Sequence, residues 1–192
     1  MLQQTLMTLT RDQAMGSADL NQFLKGIQSS AYRMAKLSTS NTEDALELVQ
    51  EAMLSLVKSY AHKPEDELKA LFYKILNHKI TDWYRKRAFR NQFRAFFGFE
   101  QDEDPIEQFA DDFQLVADDS LNYERSLNAL AEALKSLSPR QRQCFLLRAW
   151  QGFDVRETAD IMNCSQGSVK THYSRAVSQL KTLLGDDHET IG

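Results

Sequence analysis

Between Asp19 and Leu37 the apolar residues Leu20, Phe23, Leu24, Ile27, Ala31, Met34 and Ala35 recur every three or four positions. That spacing predicts an amphipathic helix. A second follows in "STSNTEDALELVQEAMLSLVKSY", with Asn41 or Thr42 as its cap and Glu43 and Asp44 in the first turn, where the helix dipole favours negative charge. Its expected buried stripe is Leu46, Val49, Met53, Leu56, Val57 and Tyr60. The break "AHKPEDELK" puts Pro64 and three acids at the start of a third, longer helix. Leu68, Leu71, Phe72, Ile75, Leu76, Ile80 and, towards its end, Trp83 are expected to face the core. These helices define a first domain, residues 1–97.

The pattern then breaks down. Residues 98–120, "GFEQDEDPIEQFADDFQLVADDS", mix acids with isolated Phe, Ile and Leu and keep no period, so they read as a linker. Helical signals return in a second domain, residues 121–192. "SPRQRQCFLLRAWQG" offers Ser138 as N-cap, Pro139 at the first helical position, Gln141 to close a capping box and Gly152 as the stop. "DVRETADIM" repeats the signal with Asp154 and Glu157. Asn163 suits the left-handed turn that ends this short helix, and Ser165 caps the next one. On that last helix Val169, Tyr173, Ala176, Val177, Leu180 and Leu184 form a face that packs on Val155, Ala159 and Met162.

With seven Gly and three Pro among 192 residues, the composition favours helix nearly throughout, and the expected fold class is all-α: two small helical domains joined by an acidic linker. No run of about 18 apolar residues is present for a membrane span, and the start lacks the pattern of a secretion signal. The expectation is a cytoplasmic protein without direct membrane insertion. Cys144 and Cys164 stand outside any CxxC or His/Cys cluster, so no zinc or other metal, no disulfide framework and no cofactor is expected. They read as buried thiols.

The formal net charge of -4 hides a strong asymmetry. Residues 69–94 carry eight basic groups and one acid, whereas residues 95–124 carry ten acids and no base. Blocks of this kind mark interaction surfaces. In the basic block, "FYKILNHKITDWYRKRAFR", rings alternate with cations, which suits single-stranded DNA: cations follow the backbone and rings stack on bases. A solvated surface with ordinary core aromatics is the competing account; Tyr73, Lys74, Tyr84 and Arg85 are the contact candidates.

In the second domain the outward face of the last helix presents Ser168, Lys170, Thr171, Ser174 and Arg175. Cations reach guanine edges or phosphates, hydroxyls donate to phosphates, and short side chains let the helix enter a major groove. A plain charged face would explain two cations alone; the helix, tight turn and helix around them favour DNA. Asp44, Glu47 and Glu51 share one face of the second helix without a His, a nucleophile or a metal spacing beside them, so they read as a docking surface and not as catalysts. No catalytic residue is expected. A recombinase would need a nucleophile with an Arg cluster, for which Tyr84 with Arg85 and Arg87 is the only loose match. A response-regulator type activator would need an α/β receiver in the amino half.

Taken together and in this order, these segments resemble bacterial sigma factors of the extracytoplasmic-function group, within the sigma-70 family of RNA polymerase initiation factors. "EDALELVQEAMLSLVKSY" is similar to the segment that docks on the polymerase clamp, which implies polymerase contacts at Glu47, Gln50 and Glu51. "ALFYKILNHKITDWYRKR" is similar to the helix that melts and reads the minus 10 element, which implies DNA contacts at Tyr73, Lys74, His78, Trp83, Tyr84, Arg85 and Arg87. The stretch from "LSPRQRQ" to "QLKTLL" is similar to the domain that reads the minus 35 element, which implies contacts at Ser165, Ser168, Lys170, Thr171, Ser174 and Arg175. The implied function is to bind core polymerase, at its clamp and flap, and direct it to promoter DNA. An anti-sigma factor is the implied regulator. Leu71 stands where the family usually has Trp, His78 where Asn is usual, and the loop "HKPEDE" is short and acidic. These departures bear on the downstream base preference.

Overall fold

The computed structural model describes residues 17–97 and 129–185, and no strand occurs among them. Helices α1 (Ser17–Thr39), α2 (Thr42–Tyr60) and α3 (Glu65–Phe97) pack on one another as the first unit. The second contains α4 (Pro139–Phe145), a π-helical turn (Leu146–Trp150), α5 (Val155–Met162) and α6 (Gln166–Leu184). Residues 129–136 ahead of α4 are also helical. The expected all-α class is therefore what forms, and residues 17–97 contain no receiver-type sheet. The linker expected at 98–120 lies outside the described residues.

The caps are those that the sequence signals. Asn41 takes the cap of α2, its Oδ1 accepting from the Asp44 N–H at 2.9 Å, which decides between the two candidates. Ser138 meets the Gln141 side-chain oxygen through both its N–H (3.0 Å) and its hydroxyl (2.8 Å). At the start of α5 the Asp154 and Glu157 side chains each accept from the other's backbone N–H, at 2.8 and 2.7 Å. Asn163 ends α5 in the left-handed region at φ 49°, and Ser165 accepts from the Ser168 N–H at 3.1 Å. Each such cap satisfies a donor that a helix end otherwise leaves open, typically worth about 1 kcal/mol.

The expected face of α2 is overturned in part: Val49 and Leu56 are buried and Met53 and Tyr60 pack on the core, but Leu46 and Val57 are not part of it. On α2 the buried stripe is Ala45, Leu48, Val49, Ala52 and Leu56, while Leu46, Leu54 and Val57 are 45%, 58% and 39% exposed. Hydrophobic spacing favours the largest apolar residues, but Ala45 and Ala52 are fully buried on the side of α2 that packs in the bundle. Small side chains there let helices approach closely, and that turns Leu46 and Val57 outward. At Gly152 the expected stop is what forms, with a detail that the sequence does not signal. The helix does stop there, at φ 76°, but its last turn widens so that the Gln151 N–H bonds the Leu146 carbonyl at 3.0 Å and the Phe153 N–H bonds that of Leu147 at 3.1 Å. Six consecutive residues, Arg142 to Leu147, are buried. This segment is enclosed on every side, as only a central helix is.

What encloses it is the first domain as well as its own. Along α3 the apolar stripe Leu68, Phe72, Leu76 and Ile80 serves the first bundle. A second stripe, Lys69, Tyr73, Asn77, Thr81 and Tyr84, recurs at the same helical spacing and meets the second domain. Lys69 Nζ donates to the Gln151 carbonyl at 3.0 Å and sits 5.1 Å from the Phe153 ring centre. Tyr73 meets Phe153 edge to face at 5.4 Å. Asn77 Nδ2 donates to the Ile161 carbonyl at 3.3 Å, Thr81 Oγ1 accepts from Gln143 at 3.1 Å, and the Tyr84 hydroxyl accepts from Arg142 at 3.3 Å. The two helical units thus share one continuous buried cluster.

Candidate nucleic-acid interface

In the helix-turn-helix of α5 and α6, Val169, Ala176 and Leu180 are buried and Tyr173, Val177 and Leu184 pack against the core, with Tyr173 stacked 6.3 Å from Phe145. That anchoring leaves Lys170, Thr171, Ser174 and Arg175 exposed on one side of α6, with Ser165 at its amino end and Ser168 half-buried beside it. Thr171 Oγ1 donates to the Gly167 carbonyl at 3.0 Å, which holds its methyl and hydroxyl in one orientation. Two neighbours join this face without a local signal in the sequence. Arg140, on α4, donates to the Met162 carbonyl at 3.1 Å and so brings a cation to the turn between α5 and α6. His172 lies half-buried within that field: burial first, then Arg140 and Arg175, hold its pKa below the usual histidine value, so the imidazole is neutral at pH 7. Arg140 was legible only as a cation; its position depends on a contact 22 residues away.

The residues expected to read minus 10 DNA divide into two groups. Lys74, His78 and Arg85 form an exposed stripe on α3, with Arg85 also bonded to Asp82. Trp83 is half-buried, packed edge to face on Tyr84 at 5.1 Å, with the Arg87 guanidinium 5.1 Å from its ring centre. Tyr73 departs from expectation: it is 1% exposed and cannot meet DNA in this arrangement. Its ring closes the junction with Phe153, and burial pushes its phenol pKa up. Tyr84 is committed too. Its hydroxyl donates to the Ser38 carbonyl at 2.5 Å while accepting from Arg142, and burial raises its pKa despite that cation. A phenol held this way is not poised as a recombinase nucleophile.

On α2, Glu47 and Gln50 are exposed beside Leu46, Leu54 and Val57, giving a mixed apolar and polar face. Glu51 lies next to it, paired with Lys79 of α3 at 2.8 Å. Among the described residues no group of His, Cys, Asp and Glu could hold a metal ion, and no helix is long and apolar enough to cross a membrane. Cys144 is buried, its thiol pushed up to about 12 by burial and by nearby Cys164.

Residues 21–90 match the family model described as Sigma-70 region 2, and residues 127–180 match that described as Sigma-70, region 4. The extracytoplasmic-function (ECF) RNA polymerase sigma factor BldN of Streptomyces coelicolor is 40% identical over 78 residues, which are 41% of this chain and 30% of that one. The RNA polymerase sigma-E factor of Streptomyces avermitilis is 26% identical over 86% of this chain and 85% of its own. In fold, the chain is similar to the sigma factor RpoE of Bartonella quintana, solved in complex with the anti-sigma factor NepR, at TM-score 0.61 and 24% identity over 87% of this chain and 94% of that one. Region 2 carrying the basic α3 and region 4 carrying the capped helix-turn-helix, in that order on one short helical chain, establish that the chain belongs to the sigma-70 family, in its extracytoplasmic-function group of RNA polymerase sigma factors.

Proposed function

We propose that the chain directs core RNA polymerase to two-part promoters through three surfaces, with no catalytic activity of its own. The outward face of α2, with Glu47, Gln50 and Glu51 among Leu46, Leu54 and Val57, docks on the polymerase clamp. Helix α3, through Lys74, His78, Trp83, Arg85 and Arg87, takes up the minus 10 element as it melts, and Tyr73 and Tyr84 join once their ring faces are uncovered. Helix α6, through Ser165, Ser168, Lys170, Thr171, Ser174 and Arg175, enters the major groove at the minus 35 element. Residues 1–97 and 121–192 are then the two promoter-binding domains and 98–120 their tether, and an anti-sigma factor holds the protein in check in the cytoplasm.

The observation that supports this reading most is the exposed row Lys170, Thr171, Ser174 and Arg175 on a helix whose other side is fixed by Val169, Tyr173 and Ala176. A helix held this rigidly offers one face, and that face has the donors a major groove takes. The test is transcription with core polymerase on a library of genomic fragments, with the start sites sequenced. Start sites sharing two elements about 25 base pairs apart support the reading, and failure of the chain to associate with core polymerase ends it.

A further inference from the structure

The exposed row on α3 runs on past the residues assigned to minus 10 DNA. Lys74, His78, Asp82, Arg85, Phe89 and Phe93 follow one another at steps of three or four residues, and all six are exposed. They therefore share one face of the helix. Lys69, Tyr73, Asn77 and Thr81 meet the second domain on another side, and Leu68, Phe72, Leu76 and Ile80 meet the first bundle on a third. Asp82 is the one acid in the row and is paired with Arg85. The last two members are phenylalanines, 70% and 52% exposed, and neither belongs to the buried cluster or to the hydrophobic residues packed against it. Phe93 also lies beyond residue 90, where the region 2 match ends.

Two large rings left in water on one face mark a contact surface and not a core. The charge around them says what kind. From Trp83 to Phe93 the chain holds Arg85, Lys86, Arg87 and Arg90 and no acid. Lys86 and Arg90 are exposed beside the rings. An apolar partner would strip water from these cations without giving them a counter-charge, which is strongly unfavourable. A single strand of nucleic acid meets both needs, with phosphates for the cations and unpaired bases for the rings. The spacing permits it. Side chains four residues apart on a helix stand about 6 Å apart, against a rise of about 3.4 Å per nucleotide in a stacked strand, so bases close together in one strand reach both rings. Duplex DNA keeps its bases stacked on each other and offers the rings nothing.

We propose that Phe89 and Phe93, flanked by Lys86 and Arg90, form a base-stacking platform for single-stranded DNA, which carries the DNA-binding face of α3 nearly two turns past Arg87. The platform rests on the promoter reading for the source of its strand, the melted minus 10 region, but it is a property of the chain and is tested without polymerase.

The test uses the full chain and oligothymidylate of about 20 nucleotides at low salt, since stacking on aromatic rings tolerates any base. Phe89→Trp and Phe93→Trp keep a ring at each site and report on it. Their fluorescence is expected to be quenched by the oligonucleotide well beyond the change that Trp83 and Trp150 give in the wild type. Phe89→Leu combined with Phe93→Leu keeps the apolar bulk and removes the rings, so single-strand affinity should fall about ten-fold for each ring. Affinity for a duplex of the same length should stay within about two-fold, and the melting temperature should not move, because both side chains are exposed. Arg90→Ala should lower the salt slope of single-strand binding by about 0.7. The proposal is overturned if the introduced tryptophans are not quenched, or if the leucine pair weakens duplex and single-strand binding equally. It is overturned as well if oligouridylate, a peptide of residues 98–120 or phosphatidylglycerol vesicles quench the tryptophans more strongly than oligothymidylate, since the surface then belongs to RNA, to an acidic peptide or to a membrane. A chain that never binds core polymerase defeats the promoter reading, while the quenching still decides whether the platform exists.

Discussion

Arg142 offers the sharpest test of how the two domains are held. Its side chain is in the buried core at 8% exposure, yet its partners are carbonyls and a phenol. Nε donates to the Leu134 carbonyl at 2.7 Å, one terminal nitrogen to the Lys135 carbonyl at 2.8 Å, and the other to the Ser38 carbonyl at 3.0 Å. Bonds to a charged donor contribute about 2 kcal/mol each, so these three are worth roughly 6 kcal/mol before desolvation. Taking the guanidinium out of water offsets about half of that, since the effective penalty is several kcal/mol. Arg142→Met should therefore destabilise the chain by about 3 kcal/mol, which lowers the melting temperature by roughly 6–12 °C for a chain of this size. Arg142→Lys isolates the cause. Lysine keeps the charge but lacks the planar fork that reaches three carbonyls in different directions, so about 2 kcal/mol should still be lost. Urea denaturation followed by helical circular dichroism measures both variants. If Arg142→Lys is as stable as wild type to within ~0.5 kcal/mol, the fork geometry is not what holds this site together.

Other expectations follow from single residues. Leu54→Asp should weaken association with core polymerase while leaving thermal stability within ~0.5 kcal/mol, because the side chain is 58% exposed; a pull-down paired with a melting curve checks both. Ser165→Ala removes the cap of α6 and should cost about 1 kcal/mol, whereas Arg175→Ala should leave stability unchanged and weaken minus 35 promoters, with a salt slope of affinity lower by about one. His172 is held below its usual pKa in the folded chain, so the unfolded chain takes up that proton first. Stability should fall as pH drops below about 6.5, and His172→Gln should remove this component from an acid titration of the melting temperature.

The elements and their caps were readable in the sequence because both depend on residues a few positions apart. Ser138 with Gln141, Asp154 with Glu157, and Asn163 before Ser165 each carry their partner within three residues. The face of α2 was harder. Its buried side is defined by Ala45 and Ala52, and hydrophobic spacing gives more weight to leucine than to alanine. Which residue faces inward there depends on how closely α1 and α3 approach, which is set by both neighbours.

The stripe on α3 was hidden for a different reason. Tyr73, Asn77, Thr81 and Tyr84 have perfect helical spacing, but a period is noticed only when its members are apolar, and these read as solvent-facing or as DNA contacts. What buries them is a surface that is itself polar, with Gln143 and Arg142 offering donors from more than 55 residues away. Buried polar groups need specific partners, so a polar stripe can be assigned only with both sides in view. The same property explains why the two readings of Tyr84 do not exclude each other. A ring whose hydroxyl is satisfied by Ser38 and Arg142 in this arrangement would lose the Arg142 donor if the domains parted, and its freed face would then be the kind of surface on which a base stacks. A purely apolar stripe at these positions would hold the domains together more firmly, and it would leave α3 with fewer groups to offer a nucleic acid.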